Sequence, residues 1–182
     1  MSNPTPNGPL MVRTALVFYL PMMAGVFFLV PPGGMAAGDP LWLGQTLLAA
    51  LAAGTGVIWA SQWSARHTRW GGALKQEFGR VLDGVTSRQI LWLSLLSAFG
   101  EEILFRGVLH GRLGLVWTAL LFGLVHFPYR RTMVPWSLFA LGMGFALGAA
   151  TTWSNSLWPA ILFHFQVNYF NLHNIVDQKE RR

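Results

Sequence analysis

Ala98-Phe99-Gly100-Glu101-Glu102-Ile103-Leu104-Phe105-Arg106-Gly107 is the stretch whose reading decides the fold. Two adjacent carboxylates and an arginine interrupt an apolar run over residues 90–109. Ionisable groups in such a run are expensive and default to a functional reading. On a helix, Glu102 and Arg106 are four apart, share a face and pair. Glu101 lies about 100° round the helix from Glu102 and meets Phe105 in the next turn. One carboxylate is thereby offset and the other is free for chemistry. The competing reading is a buried ion pair that locks helix packing.

Working outward, the composition says membrane. The chain has 182 residues, of which 53% are hydrophobic and 11% charged, and its mean hydropathy is +0.42. Soluble domains carry about 25% charged residues. That deficit, with several apolar runs near the ~20 residues a bilayer needs, implies an all-α polytopic helical bundle of about six spans. The net charge of +6 is not a nucleic-acid signal, because the basic residues sit at the edges of apolar runs. With no cysteine, disulfides, thiolate zinc sites and a cysteine nucleophile are excluded.

Residues 1–9 read as a disordered tail rich in Pro and Asn. Two N-terminal spans follow within 10–60. The first is apolar for 17 residues from Thr14, longer than a usual signal-peptide core, so it reads as uncleaved. Asp39-Pro40 offers an N-cap with Pro at N1 for the second. Residues 61–86 mix Arg66, Arg69, Lys75 and Arg80 with Trp63, Trp70 and Phe78, as in a basic connection lying on the membrane surface. Thr86-Ser87-Arg88-Gln89 has the capping-box pattern and opens the third span. The fourth span covers about 113–127 and ends at Pro128. Pro135 opens the fifth, where Ala140, Gly144 and Gly148 make a small-residue face suited to close helix contact. Asn155-Ser156 caps the sixth, and residues 177–182 form a charged tail. Eleven of the thirteen Lys and Arg residues fall on one alternating set of ends, which implies that both termini are cytoplasmic.

Three more polar residues interrupt the later spans. Phe122 and His126 stack one turn apart on the fourth, and His164 and Asn168 share a face of the sixth. Polar groups avoid lipid and face the bundle interior together. Counting about 1.5 Å per residue from the expected caps puts Glu101, His126, His164 and Asn168 within about 10 Å of depth.

These residues carry a resemblance. Glu101-Glu102-x-x-x-Arg106, Phe122-x-x-x-His126 and His164-x-x-x-Asn168 resemble the EExxxR, FxxxH and HxxxN motifs of the CPBP family, the CAAX-protease and bacteriocin-processing (Abi) membrane proteins. All three are complete, in order and on separate spans, within a core at 87–176. The resemblance implies an intramembrane glutamic endopeptidase acting on a protein or peptide substrate in the lipid bilayer. It implies that Glu101 is the base for water, that His126 holds that water, that His164 and Asn168 stabilise the oxyanion, and that Glu102 and Arg106 orient the site. It implies no cofactor. An older view of the family makes these enzymes metalloproteases, for which Glu101, His126 and His164 are the alternative zinc ligands. Two other classes compete: a non-catalytic adaptor or bacteriocin-immunity protein on the same fold, and a small proton-coupled transporter. His110 reads as an interfacial residue, Tyr169 and Gln166 as cavity lining, and Trp42, Trp136, Trp153 and Trp158 as an aromatic belt.

Overall fold

The computed structural model describes residues 8–27, 29, 39–127 and 130–180. Among them the chain is helical throughout, joined by short turns. Helix α1 spans Gly8–Phe27, α2 Pro40–His67, α3 Arg69–Val81 and α4 Ser87–Glu102. A π-helical turn, Ile103–Leu109, leads into α5, His110–Val125. A 3-10 turn at Arg131–Met133 precedes α6, Val134–Ser154, and α7 closes the chain at Trp158–Glu180. The all-α bundle expected from composition is the observed fold class.

Local chemistry explains most of the boundaries. The Asp39 carboxylate accepts the Trp42 N–H at 2.8 Å and starts α2, with Pro40 at its first position. The capping box at α4 is complete. The Gln89 N–H donates to Thr86 Oγ1 at 3.3 Å, and the Thr86 N–H donates to Gln89 Oε1 at 2.9 Å. The hydroxyl of Ser156 accepts the Trp158 N–H and starts α7.

Several expected boundaries move. Gly8 and Pro9 belong to α1 rather than to the tail, because proline is tolerated in a first helical turn. Residues 1–7, the helix break expected at 31–34, Pro128 and the last two residues lie outside the described set. Residues 177–180 continue α7 instead of leaving it. The surface connection expected from 61 starts later, since α2 runs on to His67. Its 28 residues reach about 42 Å, longer than a ~30 Å hydrocarbon core. Thr68 ends α2 and caps α3 in one step, accepting the Gly71 N–H on its side chain.

Among the described residues, three helical stretches are long and apolar enough to cross a membrane: Pro40–His67, Ser87–Val125 and Arg131–Ser154. Within Ser87–Val125 the helix passes through the π-helical turn and is broken at Gly114, at φ 75° and ψ 174°, a conformation open to glycine and strained for other residues; the break falls where the fourth span was expected to begin. Leu10–Ala24 is a shorter apolar helix. Helix α7 has the length but not the apolarity, because it carries His164, Gln166, Asn168, Asn171, His173 and Asn174.

The packing brings α1, α4, α5, α6 and α7 around one polar centre. Leu147, Ala160, Phe163 and Val167 join α6 to α7 and receive Ala50, Val57 and Ile58 of α2. Ile103 and Val108 pack against Met22 and Met23 of α1. The expected small-residue face of α6 meets α5: a Cβ on Gly144 would sit 3.0 Å from the Ala119 carbonyl oxygen, and one on Gly148 2.6 Å from Leu115 Cδ1. Many large apolar side chains, among them Val17, Leu48, Trp59, Val116 and Leu138, remain exposed on the outside. That is the distribution a lipid-facing bundle requires.

Candidate active site

The site begins where α4 gives way to the π-helical turn. Glu101 and Glu102 are the last two residues of α4, and the His110 N–H closes the turn on the Phe105 carbonyl. Such i→i+5 turns are rare inside helices and occur frequently at functional sites. The helical spacing still holds Glu102 and Arg106 together: Arg106 Nη1 donates to Glu102 Oε1 at 3.0 Å. Both side chains are buried, with relative exposures of 1% for Arg106 and 0% for Glu102. Arg106 Nη2 reaches the α6 carbonyls of Met143 at 3.2 Å and Gly144 at 3.4 Å. Its guanidinium lies 4.4 Å from the centre of the Phe122 ring. The small residues of α6 let that backbone come close enough to be a ligand for the arginine.

Glu102 Oε1 also holds His164, whose Nδ1 lies 2.7 Å away. Glu102 is an acceptor here because it pairs with Arg106, so Nδ1 carries the hydrogen; the assignment follows from the partners. This turns Nε2 of His164 toward Glu101 Oε2, at 4.0 Å. His126 is arranged alike from another direction. Its Nδ1 lies 2.7 Å from the Phe122 carbonyl, which can only accept, and its Nε2 lies 3.6 Å from Glu101 Oε2. Two imidazoles therefore have their outer nitrogen fixed and aim the inner one at a single carboxylate oxygen. That oxygen is buried and has no hydrogen-bond partner among the described residues. The other oxygen, Oε1, accepts a 2.6 Å hydrogen bond from the Tyr19 hydroxyl of α1.

Helix α6 supports His126. The ring sits between Phe122, 4.5 Å away, and Trp136, 5.1 Å away, and the hydroxyl of Ser137 donates to its carbonyl. Trp136 in turn meets Phe78 of α3 edge-on at 5.7 Å. Helix α3 is thus tied to the site, and Trp136 forms a wall of it.

Glu101, Glu102, Arg106, His126 and His164 come together. Asn168 follows His164 by one turn, but its Nδ2 donates to Ser97 Oγ of α4 at 3.0 Å. His110 bonds Thr152 at 2.8 Å, away from the centre. Two expected lining residues are placed elsewhere. Gln166 turns to α2, donating to Thr55 Oγ1 at 2.9 Å, because a buried amide needs partners. Tyr169 packs on the Leu82, Val85, Ile90 and Val176 cluster. Tyr19 was not singled out from the sequence. The available signal was a hydroxyl inside an apolar span, which needs a partner once buried.

Two histidines and a glutamate are the donor types of a catalytic zinc site, and both histidines have the outer hydrogen bond such ligands carry. Among the described residues, no three His, Asp or Glu side chains have the spacing of a metal site.

A half-buried carboxylate with two imidazoles facing one of its oxygens, enclosed by membrane-type helices, defines the class: a carboxylate-centred site inside a helical membrane bundle. Comparison with known proteins bears on the same segment. Residues 85–170 match the family model described as Type II CAAX prenyl endopeptidase Rce1-like, so this segment is similar to that family. The chain is 42% identical over 82 residues to "Uncharacterized protein YpbD" of Bacillus subtilis (strain 168), covering 43% of this chain and 41% of that protein. The chain thus matches about two fifths of the length of that curated relative. No solved structure matches.

Proposed function

We propose that the protein is an intramembrane glutamic endopeptidase that cleaves a protein or peptide near its terminus, in bacterial protein processing or C-terminal sorting. The observation that carries this reading is the convergence of His126 Nε2 and His164 Nε2 on the unpartnered Glu101 Oε2, at 3.6 Å and 4.0 Å. A gap of that size suits one bridging water. With Nδ1 of His126 donating outward, its Nε2 accepts one water hydrogen while Glu101 accepts the other, so both raise the nucleophilicity of the water oxygen.

The proton passes from water to Glu101 Oε2 as the oxygen attacks the scissile carbonyl carbon. The carbonyl electron pair moves onto its oxygen, where His164 and Asn168 donate. Donation from His164 Nε2 while Nδ1 stays on Glu102 requires the doubly protonated ring, for which Glu101 and Glu102 supply the counter-charge. Each such donor is worth about 10²–10³ in rate. Collapse of the intermediate expels the amine, which takes the proton from Glu101. Asn168 needs only one of its two amide hydrogens for Ser97, which leaves the other for this role. Glu102 and Arg106 orient His164.

We also propose a multi-pass protein with both termini cytoplasmic and no required metal. Zinc chemistry on Glu101, His126 and His164 is the second reading, favoured by their donor types. Terminal proteomics of cells with and without the protein tests the activity. Cut termini that vanish in Glu101→Ala, His126→Ala and His164→Ala, with membrane insertion retained, are expected. Persistence of cutting in Glu101→Ala overturns the assignment and favours an adaptor. Phenanthroline inhibition reversed by zinc selects the metal reading.

A further inference from the structure

We infer that Tyr19 of α1, outside the family-matched segment, is the positioning residue that aims the Glu101 carboxylate. The inference rests on the glutamic-base reading above. Its hydroxyl donates to Glu101 Oε1 at 2.6 Å, across 82 residues of sequence, within the range of a short charge-assisted hydrogen bond. A carboxylate turns about its last torsion in a broad well. Fixing Oε1 fixes that torsion, and Oε2 is then the oxygen presented to both histidines. Among the described residues, no other side chain holds Glu101 closer: its contacts with His126 and His164, at 3.6 Å and 4.0 Å, are too long for direct hydrogen bonds.

The sequence around the motif accommodates this donor. A Cβ on Gly100 would stand 2.4 Å from Tyr19 Cδ1 and 2.9 Å from Met22 Cε. Gly100, directly before the two glutamates, is the gap through which the tyrosine ring passes. Helix α1 is seated beside the motif as well, since Met22 and Met23 pack on Ile103 and Val108. Helix α1 is thereby part of the active centre, although it carries none of the three motifs.

The experiment uses the full chain in lipid nanodiscs with ¹³C-labelled glutamate. The infrared carboxylate bands of Glu101 are isolated by subtracting the Glu101→Gln spectrum. Tyr19→Phe keeps the ring against Gly100 and removes only the hydroxyl. The Glu101 splitting between antisymmetric and symmetric stretches is expected to change in Tyr19→Phe and in Gly100→Ala, and to be unchanged in the lipid-facing control Val17→Ala, whose side chain is 75% exposed. Cleavage of a quenched-fluorescent peptide copying a terminus found by proteomics is expected to lose roughly 10- to 100-fold in kcat, with KM held, as follows from losing one hydrogen bond to a charged group. An unchanged splitting in Tyr19→Phe overturns the contact. A changed splitting with wild-type kcat overturns the positioning role. If Glu101→Gln itself cleaves normally, the protease reading fails, while the infrared result still decides whether Tyr19 holds Glu101.

Discussion

Replacing Arg106 by methionine tests how the site is held together. Methionine nearly matches the volume of the arginine stem and brings no donor. The substitution strands Glu102, whose side chain is fully buried, and removes the bonds to the Met143 and Gly144 carbonyls. Breaking one partner of a buried pair costs about 3–5 kcal/mol, because the remaining charge is left uncompensated. His164 stays 2.7 Å from the same oxygen, so we place the loss at the low end, about 3 kcal/mol. For a chain of this size that corresponds to a fall of about 6–12 °C in the melting midpoint. Tryptophan-fluorescence melts in nanodiscs read it directly. Arg106→Lys should fall between, since an ammonium reaches Glu102 but lacks the fork that also takes two carbonyls. The double variant Glu102→Leu/Arg106→Met should be at least about 1 kcal/mol less damaging than the sum of the single changes. A midpoint shift under about 2 °C in Arg106→Met, or strict additivity in the double variant, refutes the argument.

Other consequences follow from the same geometry. Glu77 of α3 is tied to Arg80 at 2.9 Å and to Arg130 at 3.1 Å. Desolvation alone would raise its pKa, but the charges of Arg130 and then Arg80 outweigh it and hold the carboxyl below its ordinary value. A depressed folded-state pKa contributes stability above the unfolded pKa, about 4.3, and loses it as pH falls through the lower folded value. Acid titration followed by limited proteolysis should therefore release the α3 region at low pH in the wild type. Glu77→Gln should show weaker protection already at neutral pH and little further loss on acidification. Trp136→Ala removes the ring beside His126 and the partner of Phe78; cleavage should fall with membrane insertion intact, as counted by proteomics and carbonate extraction. Gly144→Leu forces a side chain against the Ala119 backbone. It should cost about 1–3 kcal/mol, visible as a lower melting midpoint.

Much of this protein is legible along the chain. The deficit of charge set the helical membrane class, since hydrocarbon admits few charged groups. Asp39 and Thr86 marked helix starts because capping is chemistry between near neighbours. The Glu102–Arg106 pair was readable for the same reason, being one turn apart. Local pattern failed where contacts run across helices. The fixed tautomers of His126 and His164 depend on a carbonyl and on a carboxylate, and the carboxylate is 62 residues away. The turn of Gln166 toward α2, the place of Trp136 beside His126, and the π-helical turn at Ile103–Leu109 likewise required the packed structure. The decisive case is Glu101. Its place in an apolar helix marks it as a candidate for chemistry, but the partner of its Oε1 is Tyr19 from α1, 82 residues distant. Sequence determines which groups a buried site must satisfy; only the folded arrangement decides which partner, from which helix, satisfies each one.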